Sequence, residues 1–293
     1  MKHLPFFALV LAACGPSVGA SVDAKPGTAD AATDAPVGPD ANLTDAPLTE
    51  VSKVYAHSGK QLYRIDTTTA QPTPVLIGTF TDSGPDLGTA SITDIAVDKA
   101  GKMTGCTLKK IFTIDPATAA VTFVAALPSG TPNITSLSYV PVDLNDPNSA
   151  EILVAVDTDG NVLKIEGTTI TTVGSYGMSN GEVIGSSGDI VAVRGEGIFA
   201  TVDIGTTLTN NDYLAKIDPT TWNATIVGTD LGVSKVFGLG YWRTKLYGFV
   251  DVGTGAGQIL EIDPKTGAVT PGATGTIEWF GAGVTTDAPI VVN

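Results

Sequence analysis

Apolar residues in this chain come in short runs of four to eight, broken by Gly, Pro, Asp and Thr, and one run-and-turn phrase keeps returning. An apolar pair is followed by Ile, an acid and a Thr-rich turn at Ile65-Asp66-Thr67, Ile114-Asp115-Pro116, Ile165-Glu166-Gly167, Ile217-Asp218-Pro219 and Ile262-Asp263-Pro264. The acids stand 49, 51, 52 and 45 residues apart. Short β-rich runs bounded by turn residues predict strands, and a near-constant period of this length predicts a propeller or solenoid.

Each copy has β-rich neighbours. Before it come "KVYAHSG", "MTGCTLKK", "EILVAVDTDG", "IFATVDIG" and "KLYGFVDVG"; after it come "PVLIGTF", "AVTFVAAL", "TITTVGSYG", "ATIVGTDLG" and "AVTPGATG". Further upstream lie "ITDIAVDKAG", "ITSLSYVPVD", "DIVAVRGEG", "VFGLGYWRTK" and, near the C-terminus, "IEWFGAGVTTD". Four strands in about fifty residues make one blade. The expected fold is therefore all-β, a β-propeller of five four-stranded blades over residues 51–293, with six blades the alternative. The fifth innermost strand sits at the far end of the chain. Closure is expected to come from that strand joining the N-terminal blade, which removes an exposed edge. "PIVVN" after Asp287 is left over, as a tail or part of an extra blade.

The repeated acid has a turn-forming explanation. Asp after the third strand accepts hydrogen bonds from N–H groups two or three residues on, Pro presets the next φ, and Gly267 suits a positive φ. Five such acids spread round a rim do not form one catalytic pair.

The first fourteen residues change the picture. Lys2 precedes an apolar run, Leu4 to Ala13, which is too short for a membrane span of about twenty residues and reads as a secretory signal over residues 1–13. Its end, Leu11-Ala12-Ala13-Cys14, resembles the lipobox of bacterial lipoproteins. That resemblance implies cleavage before Cys14, acylation of its thiol and anchorage to a membrane; Gly15 after it favours the outer membrane or cell surface. Residues 15–50 are almost wholly Ala, Asp, Pro, Gly, Thr and Ser, a composition that cannot offset the entropy of folding. With Cys14 they are expected to tether the folded part clear of the membrane.

The net charge is −14; residues 15–50 hold six acids against one Lys, and residues 51–293 hold 24 against 14 bases. Such a surface repels phosphate backbones, so nucleic acid is excluded as a partner, while divalent cations and neutral ligands such as sugars stay open. Cys106 is the remaining cysteine after processing and is expected to be a small buried residue, without a disulfide. A monomer is expected.

The repeats resemble the extracytoplasmic propellers with "LYxIDPxTG" units, the quinoprotein-like and YVTN/NHL-like groups. The resemblance implies a fold and no single activity. The expected function is a binding or scaffold module for a glycan, peptide or protein; the alternative is a polysaccharide hydrolase or lyase. Hydrolysis would need two convergent carboxyls at the channel mouth, with Asp94, Asp98, Glu182, Asp189, Glu196, Glu278 and Asp287 as candidates beside Arg194 and Arg243. His57 has no Gly-x-Ser-x-Gly elbow to serve as a triad partner. "GTGAG" at 253–257 lacks the Lys of a phosphate loop and reads as a turn.

Two further clusters are candidates for ligands. Asp143, Asn145, Asp146, Asn148 and Glu151 offer oxygens of the kind calcium takes; Asp157, Asp159 and Asn161 read instead as a tight hairpin. Tyr241, Trp242, Arg243, Glu278 and Trp279, on adjacent innermost strands, could stack and hydrogen-bond a sugar, or the rings could fill gaps between blades.

Overall fold

The computed structural model describes residues 51–205 and 210–291; the signal, Cys14 and the tether lie outside the described residues. The described residues hold strands and turns with no helix. Five sheets, each a blade, follow the repeats in order.

Blade 1 combines Val54–His57, Gln61–Asp66 and Thr73–Thr79 with the late strand Gly281–Val284. The closure expected from sequence is present. Val54 pairs with Val284 and His57 with Gly281, antiparallel, so the innermost strand of the first blade comes from the far end of the chain. Blades 2 to 5 have innermost strands Asp94–Val97, Ser136–Pro141, Glu182–Val193 and Val236–Trp242, which adjoin one another in a ring completed by Gly281–Val284. Blades 2 and 4 each take a short fifth strand. Thr81–Asp82 lies parallel to Ala120–Ala126, and Met178–Ser179 folds back on the start of the blade 4 innermost strand.

Burial is graded outward. Asp94–Val97 and Gly281–Val284 are buried at every position, whereas the outermost Thr73–Thr79 has no buried residue. The innermost strands are therefore runs of apolar and small residues without polar alternation, as strands covered on both faces require. Third strands such as Gln61–Asp66 bury Leu62, Tyr63 and Ile65 and leave Arg64 half-buried.

The turn acids behave as their sequence predicts, with one exception. Asp66 accepts from Thr68 N (2.9 Å), Asp115 from Ala117 N (2.8 Å), Asp218 from Thr221 N (2.7 Å) and Asp263 from Lys265 N (2.7 Å). Gly267 takes a φ of 70°, and Ala119 and Trp222 hold the same left-handed turn position at 61° and 64°. Glu166 instead sits in a two-residue hairpin opposite Thr169, where Gly167 has the positive φ.

The residues after the last strand are not a sixth blade among the described residues. Thr285 bridges to Val97 and donates its hydroxyl to Asp98 O (3.0 Å); Thr286 O accepts from Arg194 N (2.9 Å) and Pro289 O from Arg243 N (2.8 Å). The segment lies across the end of the ring where the innermost strands finish.

Candidate functional site

An innermost strand has no neighbour on its axial side, so its edge N–H groups need other partners. Two acids supply them. Asp94 Oδ2 accepts from Leu137 N (2.5 Å) in the next blade, and Asp189 Oδ2 accepts from Leu239 N (2.8 Å) in its own next blade. Asp189 Oδ1 accepts from Ile190 N (2.7 Å). The two carboxyls, from blades 2 and 4, face each other, and Asp94 Oδ1 has no hydrogen-bond partner among the described residues. Both are essentially unexposed, and burial, then for Asp94 the neighbouring Asp189 charge, raises their pKa values well above the usual carboxylate range.

Aligning the innermost strands puts Asp94, Ser136, Asp189, Gly238 and Gly281 at one position of the unit. The glycines make room. A β-carbon on Gly281 would stand 2.5 Å from Asp94 Oδ1 and 2.7 Å from His57 Nε2. His57 is fully buried, its Nδ1 bonded to Ser58 O (2.9 Å), which leaves Nε2 unprotonated and 4.0 Å from Asp94 Oδ1. Burial pushes the His57 pKa down to about 4. With the imidazole neutral, this contact is not an ion pair at neutral pH. Cys106, the free and buried thiol expected from sequence, lies beside Thr93 Oγ1 (3.4 Å), and burial pushes its pKa to about 12.

Above this sealed layer, where the innermost strands begin, is a pocket of about 220 Å³. Thr93, Thr135, Ser187, Phe237 and Phe280 reach it from the five blades in turn, with Thr158, Ser186 and Gly188 beside them. The two Phe are half-buried, and no charged side chain lines the pocket. Ser187 connects it to a second carboxyl pair. Asp203 and Asp212 are 3% and 1% exposed and face each other; burial raises both pKa values, Asp212 to about 7.

The acids singled out from sequence divide between the two ends of the axis. Asp94 and Asp189 converge; Asp98, Arg194 and Asp287 lie at the far end. There Arg194 pairs with Asp287 (3.0 Å) and Glu151 (3.0 Å). Glu196 meets Tyr241, Glu278 is exposed, Arg243 lies in a left-handed turn, and Glu182 begins the blade 4 innermost strand.

The candidate calcium loop already holds a cation. The Arg194 guanidinium donates to Asp146 O (2.7 Å), Ser149 O (3.0 Å) and Glu151 Oε1 (3.0 Å). Asp143 and Asp146 cap their own turns through Asn145 N (2.9 Å) and Asn148 N (2.8 Å). Among the described residues no three His, Cys, Asp or Glu side chains gather into a metal-holding group, so Asp143, Asp146 and Glu151 do not form one. Asp157 is the hairpin residue expected, accepting from Asp159 N and Asn161 N.

The aromatic cluster is interior. Tyr241, Trp242 and Trp279 are at most 2% exposed. The Trp279 ring stands edge-on to Tyr63 (centroids 5.5 Å) and Phe249 (5.3 Å), filling the seam between blades 1 and 5, so none of the three presents a face to a sugar. Sequence reasoning missed Phe237, Phe280 and the hydroxyls of the mouth, which carry no motif. For Thr93, Thr135, Phe237 and Phe280 the signal is positional, since they immediately precede the aligned axial column.

No protein-family model matches the chain, and no curated protein is similar to it. Among solved structures, one from work on the de novo evolutionary emergence of a symmetrical protein is 13% identical, matched over 82% of this chain and 100% of its own, with a TM-score of 0.48. A protein of unknown function from Bacteroides caccae is 10% identical over 80% of this chain and 98% of its own, with a TM-score of 0.42.

Proposed function

We propose that this protein is a lipid-anchored extracytoplasmic binding module that takes a neutral glycan at the mouth of the propeller axis. The observation that carries this reading is the pocket itself: two half-buried phenyl rings among Thr and Ser hydroxyls, without a charged side chain, on a protein of net charge −14. Phenyl faces suit the C–H face of a sugar ring and hydroxyls suit its rim. Charge on the ligand would be unmatched.

Anchoring rests on Leu11-Ala12-Ala13-Cys14 and the Ala/Asp/Pro segment that follows, which would hold the pocket off the outer membrane or cell surface. The hydrolase reading has less support. A glycosidase keeps its two carboxyls roughly 5–10 Å apart around the bond it cleaves, open to substrate, whereas Asp94 and Asp189 are sealed from solvent.

A glycan array probed with the full chain tests the ligand. Neutral glycans should be retained, and Phe237→Ala with Phe280→Ala should abolish retention; retention unchanged by that double substitution would refute the site. Labelled palmitate tests the anchor: it should enter the parent chain and not Cys14→Ala.

A further inference from the structure

Ser58, Thr107, Asp157, Asp203 and Asp251 hold the same position in the five units, at the turn out of the second strand. In four of them the side-chain oxygen caps that turn. Ser58 accepts from Gln61 N (3.0 Å), Thr107 from Lys110 N (3.0 Å), Asp157 from Asn161 N (2.9 Å) and Asp251 from Gly253 N (2.6 Å). Among the described residues Asp203 caps nothing. Its hairpin is longer, with residues 205–212 between strands where blades 1 to 3 have three or four residues. Among the described residues Asp212 alone faces it and neither Asp203 oxygen has a hydrogen-bond partner, while Asp212 Oδ2 accepts from Val236 N (2.6 Å).

A buried carboxylate without partners is costly, and a second carboxylate beside it adds to that cost. Among the described residues no Lys, Arg or His pairs with either acid. A third oxygen points the same way. Ser187 is 9% exposed, its Oγ has no hydrogen bond of good geometry, and it leans on Asp212 from the wall of the mouth pocket. Insertions in one unit of a repeat array gather at binding faces, and blade 4 is the one lengthened here.

We propose that Asp203, Asp212 and Ser187 bind a hard divalent cation of the calcium type, reached from the mouth pocket. All donors are oxygen, which selects calcium or magnesium over zinc or copper. Two carboxylates match the cation's charge, and water completes a shell of about six to eight oxygens. The site is independent of the glycan reading, since it needs only the pocket's opening.

Calorimetric titration of calcium chloride into the full chain, stripped with chelator, tests it. One site per chain is expected. Asp203→Asn should weaken it about a hundredfold, while Asp157→Asn, at the same position in blade 3, should leave it unchanged. No binding heat with the parent chain, or equal affinity in Asp203→Asn, would overturn the proposal. Should Asp203→Asn fail to fold by circular dichroism, Ser187→Ala decides: about a tenfold loss supports the site, and unchanged affinity overturns it.

Discussion

Asp94 and Asp189 face one another on the axis, close enough for the Asp189 charge to raise the Asp94 pKa, although they belong to blades that are not neighbours. The pair works as a pin through the ring, and its two halves carry unequal loads. Asp189 accepts from Ile190 N and Leu239 N, Asp94 only from Leu137 N. Each buried N–H left without a partner costs about 1–3 kcal/mol. Asp189→Ala is expected to lose about 4 kcal/mol and Asp94→Ala about 2 kcal/mol in urea unfolding. Equal losses would show that these strand-edge bonds do not govern the difference.

Gly281 is where the axis is tightest. Its φ lies outside the left-handed region, so the reason for glycine is space alone. Gly281→Ala drives a methyl into Asp94 and His57 and should destabilise by about 1–3 kcal/mol. Gly84→Ala, whose new methyl would meet nothing closer than 3.6 Å, should stay within about 0.5 kcal/mol. Repeating Gly281→Ala in an Asp94→Ala background should recover part of the loss.

Acid should expose the buried imidazole. Folding lowers the His57 pKa from 6.5 to about 4, so its contribution is neutral above pH 6.5 and stability is lost as pH falls through that window. Asp94 and Asp189 have raised values and act in the opposite sense, binding protons more tightly when folded. The two trends separate in a variant. Between pH 7.5 and 5, His57→Gln should gain about 2 kcal/mol relative to the parent chain. Parallel stability curves would mean that His57 does not titrate as a buried group.

The Cys106 thiol should be silent. It is fully buried with a pKa of about 12, so thiolate is scarce and reagent is kept out. In a Cys14→Ala chain, an aromatic disulfide reagent should release no colour until denaturant is added, and then one equivalent. Prompt reaction in the native state would contradict the packing.

The blades were legible because their signal is local and repeated: Ile262-Asp263-Pro264 carries strand end, turn acid and preset φ in three residues. Closure was legible because Gly281–Val284 is an innermost strand without a blade of its own. The axial site was half legible. Asp94 and Asp189 stood among seven candidate acids, and their convergence depends on ring geometry that spacing along a chain does not encode. Tyr241, Trp242 and Trp279 drew attention as rare aromatics, yet an unusual residue marks a large volume to be filled as readily as a ligand face. Asp203 was not singled out, because a lone acid near a strand end in "IFATVDIG" carries no pattern of its own.

The pairing of Val54–His57 with Gly281–Val284 joins segments more than two hundred residues apart. As the polypeptide is made, the first three strands of blade 1 must wait as an unfinished sheet for a latch that arrives last. Any cut between His57 and Gly281 leaves that latch tied to its blade only by non-covalent contacts, so a nick in a distant loop could unfasten the circle far from where the protease struck.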